Sequence, residues 1–150
     1  MRLGFLYAGQ GTQHPGMGAD LYAAFPAFRA AFDAAEPGFD LKSVCFEDPE
    51  GVLDRTEYTQ PCMVAFAAGL TAVLRERGIV PAAAAGLSLG EYSALQAAGV
   101  WDAPTAVRTA AFRGRAMARA AEGIDCAMIA VLGLGREELA LACGEASALG

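Results

Sequence analysis

Gly86-Leu87-Ser88-Leu89-Gly90 constrains this chain more than any other stretch. An apolar run at residues 82–87 leads into it, and the helix-forming Glu91-Tyr92-Ser93-Ala94-Leu95 leads out. The pattern predicts a sharp turn between strand and helix, with one serine hydroxyl at its tip. A glycine on each flank carries no Cβ, so strand and helix can cross closely there. The N-terminus of the following helix then aims free N–H groups and a positive dipole end at the tip. Ser88 with Glu91 three residues later also fits a capping box. Capping alone asks for neither flanking glycine.

Hydrophobic residues make up 55% of the 150 and charged residues 19%, a balance that supports one globular domain with a real core. A net charge of −6 argues against nucleic acid and anionic membrane surfaces as partners. Cys45, Cys62, Cys126 and Cys143 form no Cys-x-x-Cys, and His14 is the single histidine, so no metal site is expected. Cys62 sits near a predicted helix start, where a thiol is acidified if exposed, but it reads better as core filler. Residues 3–8 are too short for a signal-peptide core, and no apolar stretch reaches spanning length. The expected location is cytoplasmic.

Residues 3–7 predict a buried strand, and residues 9–18 a glycine-rich loop. Short helices are predicted at 19–25 and, starting on a proline, at 26–35. Residues 39–58 read as one short helix plus loops. Thr59-Gln60-Pro61 predicts the cap of a long helix through residue 77, with Gly78 as its stop. A strand at 82–87, a helix to about 98 and another from Asp102-Ala103-Pro104 to about 121 follow. Glu122-Gly123 reads as a hinge, followed by a strand at 126–132 and a helix at 136–146. This alternation predicts an α/β layer architecture. None of the glycine loops completes a phosphate-binding motif: His14 replaces the third dinucleotide glycine, and Met17-Gly18 stands where a Walker loop needs Lys-Ser/Thr.

The helix over 102–121 holds a second clue. At 3.6 residues per turn Ala106, Ala110, Arg113, Met117 and Ala120 form one stripe, while Arg108, Arg115 and Arg119 lie opposite as a solvated face. Arg113 thus sits in a small, apolar stripe, with only Thr109, Ala110, Ala116 and Met117 at neighbouring turns. A desolvated guanidinium needs a partner. Either an acidic residue elsewhere in the fold or the carboxylate of a ligand would supply it.

Four blocks, Gly9-Gln10-Gly11-Thr12-Gln13, Thr59-Gln60-Pro61, Gly86-Leu87-Ser88-Leu89-Gly90-Glu91-Tyr92-Ser93-Ala94-Leu95 and Arg113-Gly114-Arg115-Ala116-Met117, together resemble the malonyl-CoA:acyl-carrier-protein transacylase family. That family also supplies the acyltransferase domains of fatty acid and polyketide synthases. The resemblance covers the whole chain but about the first half of the family's length. It implies an α/β, hydrolase-like core with a parallel sheet over residues 1–123, and the start of an inserted, truncated ferredoxin-like subdomain over 124–150. It further implies Ser88 as the nucleophile, the backbone N–H groups of Gln10 and Leu89 as the oxyanion hole, and Arg113 as the receptor of the malonyl carboxylate. Coenzyme A thioester and acyl carrier protein would be substrate and partner, with no bound cofactor or metal.

Two departures stand out. Leu87 occupies a place where many members carry histidine, and the family's general-base histidine lies in the half that this chain does not span. The chain therefore reads as an N-terminal fragment expected to need the second half of the fold. His14, on the loop facing the elbow, is the only histidine that could substitute, and geometry must precede pKa in choosing a base. Two rivals remain open at this point: a serine esterase or lipase, which shares the elbow but has no use for Arg113, and a non-catalytic fragment that binds carrier protein.

Overall fold

A computed structural model describes residues 2–125 and 131–148. Strand β1 (Gly4–Tyr7) pairs in parallel with β2 (Ala83–Gly86), Gly4 opposite Ala83 and Tyr7 opposite Gly86. Between them run α1 (Ala19–Ala24), α2 (Pro26–Asp33), a π-helical turn (Ser43–Glu47) and the long α3 (Thr56–Glu76). After β2 come α4 (Gly90–Ala97), α5 (Ala103–Ala120) and α6 (Arg136–Ser147). The expected α/β arrangement is therefore present as a small parallel sheet with flanking helices. The predicted strand at 126–132 lies mostly outside the described residues, and Val131 and Leu132 are not in a strand.

The core is built around α3. Its buried residues, from Thr59 through Cys62, Val64, Ala65, Ala68, Gly69, Thr71 and Val73, occur on nearly every side, as expected of a helix enclosed by others. Helix α2 packs on it through Phe28, whose ring occupies the space a Cβ at Gly69 would need, only 2.7 Å away. On the other side α5 packs through Ala106, Val107, Ala110, Ala111 and Gly114. At Gly114 the approach is close, a Cβ there falling 2.8 Å from the Thr56 carbonyl oxygen.

The start of α3 corrects the sequence reading. The helix begins at Thr56, and Pro61 lies inside it. Thr59 does not cap: its hydroxyl donates to the Leu53 and Arg55 carbonyls, and its N–H bonds Arg55, so the turn before the proline already closes. Asp102 does cap α5 as expected, its Oδ1 accepting from the Thr105 N–H at 2.8 Å. Hydrogen bonding from Thr105, through its side chain first and its N–H second, holds the Asp102 carboxyl below its ordinary pKa.

Among the described residues, only one face of the two-stranded sheet is covered. Tyr7 reaches Thr71 of α3 with a 2.8 Å hydrogen bond, while Leu6 is 86% exposed and Ala83 and Ala85 are exposed with it. A groove of about 380 Å³ runs beside β1, lined by Phe5, Leu6, Tyr7, Met63, Phe66 and Leu70 among others. Every described residue from 131 to 148 is exposed. No described helix is long and apolar enough to cross a membrane.

Candidate functional site

The turn between β2 and α4 is closed by glycine. A Cβ on Gly86 would lie 1.9 Å from the Gly90 carbonyl carbon, and a Cβ on Gly90 would lie 2.3 Å from the Tyr7 carbonyl oxygen. Both strands and the helix therefore meet at backbone contact. That compression leaves Ser88 at φ +51°, in the left-handed region a serine rarely adopts. Such a strained residue marks a candidate functional position. Ser88 is exposed, and Leu89 behind it is buried to 1%.

The capping alternative is not what the structure shows. The residue preceding α4 is Leu89, and no side chain caps this helix. Ser88 Oγ instead accepts a hydrogen bond from Arg113 Nη2 at 3.2 Å. Arg113 arrives from α5 because Gly114 lets that helix press against the beginning of α3. Its position needs a correction: the buried face of α5 is Ala106, Val107, Ala110, Ala111 and Gly114, and Arg113 stands at the margin of that face, partly exposed. The periodic stripe drawn from sequence was rotated by part of a turn, since Gly114, invisible to a search for apolar side chains, makes the contact. The guanidinium lies over the Tyr92 ring, 5.5 Å from its centroid. Among the described residues the ion pairs are Lys42–Asp33 and Arg55–Glu57, and Arg113 takes part in neither. A fold-internal acid partner is therefore not found there.

The glycine-rich loop abuts the elbow: a Cβ on Gly9 would fall 2.9 Å from the Leu87 carbonyl oxygen. This brings Gln10 into the neighbourhood of Ser88. The loop is braced by its amides. Gln10 Nε2 donates to Thr56 Oγ1 at 3.1 Å, Gln13 Nε2 to Asp54 Oδ1 at 2.7 Å, and Gln13 Oε1 accepts from the Gly11 N–H at 2.8 Å. Among the described residues, neither the Gln10 nor the Leu89 backbone N–H donates to a protein acceptor. Free N–H donors of this kind are what negative charge developing on a substrate oxygen requires.

One sequence reading changes here. Gln60 is a fully buried member of α3, its Nε2 donating to Met117 Sδ at 3.3 Å and its Oε1 without a partner among the described residues. His14 is exposed, its ring Nδ1–H donates to the adjacent Pro15 carbonyl at 3.0 Å, and among the described residues no hydrogen bond joins it to Ser88, whose side-chain partner is Arg113. Cys62 is core filler: the Cys45 thiol beside it and its own burial push its thiol well above the ordinary range, opposite to the effect of an exposed helix start. Among the described residues no three His, Cys, Asp or Glu side chains cluster as metal ligands would. Tyr92 was missed from sequence. Its place in the first turn of the helix that leaves the elbow was the available signal.

Residues 4–146 match the Acyl transferase domain family. The malonyl CoA-acyl carrier protein transacylase of Escherichia coli K12 is 40% identical over 146 residues, covering 95% of this chain and 47% of that protein. The crystal structure of malonyl-CoA:acyl carrier protein transacylase from Xanthomonas oryzae superposes with a TM-score of 0.86 at 39% identity, covering 97% of this chain and 48% of that one. A malonyl-transacylase in complex with its type II polyketide synthase acyl-carrier protein is also similar, with a TM-score of 0.81, 35% identity and coverage of 97% and 48%. This chain spans about half the length of the transacylases it matches. It belongs to the Acyl transferase domain family.

Proposed function

We propose that this member of the Acyl transferase domain family contributes the nucleophile and the carboxylate receptor to malonyl transfer from coenzyme A to acyl carrier protein, in fatty acid or polyketide synthesis. Ser88 Oγ attacks the thioester carbonyl, the carbon–sulfur bond breaks, and the serine proton ends on the departing thiolate. The resulting serine ester is attacked in turn by the phosphopantetheine thiol of the carrier protein, which restores the hydroxyl. The Gln10 and Leu89 N–H groups would hold the oxyanion in both steps, and Arg113 the free carboxylate of malonate.

One observation carries this reading. A strained, exposed serine and an arginine without an acid partner among the described residues sit one hydrogen bond apart, Ser88 Oγ to Arg113 Nη2, at 3.2 Å. An acyl group esterified to Ser88 would place a carboxylate within reach of that guanidinium, whose planar fork suits two-bond capture. A plain esterase has no role for this arginine. Ser88 also has no hydrogen bond to a histidine among the described residues, its side-chain partner being Arg113. We therefore assign the proton acceptor to the part of the transacylase fold that this chain does not span, a reading supported by its 47% coverage of the Escherichia coli relative.

The test is intact mass spectrometry of the protein completed to the length of its transacylase relatives, after mixing with malonyl-CoA in single turnover. A malonyl adduct on the wild type and its loss in Ser88→Ala are expected. An undiminished adduct in Ser88→Ala would refute the assignment.

A further inference from the structure

Arginine reaches its target through a long, rotatable stem, so something must hold its head in place. For Arg113 an acid partner is not found among the described residues. Its recorded contacts are the Ser88 hydroxyl and the face of the Tyr92 ring. Tyr92 lies in the first turn of α4, four residues after Ser88, so ring and hydroxyl are carried by one continuous piece of backbone. The ring is itself supported: Trp101 packs against it with centroids 5.7 Å apart and planes tilted by 41°, and both aromatics rest on the core.

We propose that Tyr92 is a positioning residue, a shelf backed by Trp101 that fixes the Arg113 guanidinium beside Ser88 while leaving its charge unneutralised. The choice of an aromatic has a physical logic. A carboxylate in this place would anchor the arginine equally well, but would then compete with any ligand carboxylate for the same two N–H groups. A ring face attracts the cation through its quadrupole and occupies none of those in-plane donors. The receptor is thus pre-placed and still charged when the ligand arrives. That it receives the carboxylate of an acyl group rests on the function proposed above; the shelf itself does not.

The two ideas separate in one experiment on the 150-residue chain. By proton NMR, the Arg113 side-chain signals, identified by their loss in R113K, should be shifted upfield by the ring current of Tyr92. That measurement needs no other variant, so it decides the matter even where a substitution unfolds the chain. Y92F should keep the shift and Y92L should lose it. Malonate titrated against acetate, followed through the same signals and through Trp101, the only tryptophan, should bind preferentially. Y92L should weaken malonate by about five-fold, and Y92F should restore it. Arg113 signals at ordinary positions in the wild type, or unchanged in a folded Y92L, would overturn the shelf. A ring-shifted arginine that takes malonate no better than acetate would keep the shelf and overturn the substrate reading.

Discussion

Replacing Gly86 with alanine should be among the most damaging single-methyl changes in this chain. The added carbon would sit 1.9 Å from the Gly90 carbonyl carbon, 2.0 Å from its oxygen and 2.4 Å from the Glu91 nitrogen, all backbone atoms. No side-chain rotation relieves such a contact. To reach the shortest ordinary separation of 3.4 Å, β2 and α4 would have to part by about 1.5 Å. Gly90, which would meet Tyr7 and Ala8 carbonyls at 2.3 and 2.8 Å, sets the same limit from the other side, so α4 cannot simply slide toward β1. Overpacking of this kind typically costs about 1–3 kcal/mol, and an all-backbone clash belongs at the upper end, near 3 kcal/mol. For a chain of this size that corresponds to a fall in melting temperature of roughly 6–12 °C. Thermal unfolding followed by circular dichroism measures it. Gly144→Ala is the control: it adds a methyl in open space on the exposed α6 and should cost nothing. A Gly86→Ala protein melting within about 2 °C of wild type would refute the claim that glycine is required by the crossing.

Four further outcomes follow from the site and its surroundings. Ser88→Gly should remove the acyl adduct yet raise stability by about 0.5–1.5 kcal/mol, because glycine tolerates the φ of +51° that strains serine; an unfolding curve shifted downward would contradict this. Arg113→Ala, in protein completed to the length of its transacylase relatives, should cut malonyl transfer by about 2–3 kcal/mol, the lower part of the range for a lost charge pair because the arginine is partly exposed. Acetyl transfer should fall far less, and equal losses would mean that Arg113 is structural. Since bonding to Thr105 lowers the Asp102 pKa, its stabilisation is full above the ordinary aspartate value of about 4 and disappears as pH falls through the lowered folded value. The stability gap between wild type and Asp102→Ala should therefore close in acid and be widest near neutrality, as read from urea titrations at several pH values. Finally, iodoacetamide at pH 8 should label the exposed Cys143 and spare Cys45 and Cys62 until the chain is unfolded, as checked by peptide mapping.

Much of the site was legible because its chemistry is written in local spacing. Glycines two residues either side of Ser88 announced a backbone crossing, and the crossing is there to within contact distance. The helix start at Asp102 was equally local, a side chain satisfying an N–H three residues on. What escaped was decided at longer range. Pro61 looked like a first-turn residue, yet α3 begins five residues earlier because Thr59 and the Arg55 carbonyl close the turn before it. Arg113 was assigned to an apolar stripe by counting side chains, whereas the packing of α5 depends on the side chain Gly114 lacks. The aromatic face under Arg113 joins α4 to α5, and the bracing of Gln10 and Gln13 joins the loop to Thr56 and Asp54. Pairings between separate elements leave no periodic trace in either one.

The uncovered face of the β1–β2 sheet sets how these 150 residues behave as a colloid. Leu6 and its alanine neighbours offer a flat apolar surface that would gain by meeting another like it. Opposing that, every molecule carries a formal charge of −6. In dilute buffer this repulsion reaches well beyond contact, with a screening length of about 30 Å at 0.01 M salt. At 1 M it shrinks to about 3 Å, roughly the thickness of one water layer. Self-association should therefore increase with added salt and with approach to the isoelectric point, so storage in low-salt buffer well above that pH should keep the molecules apart.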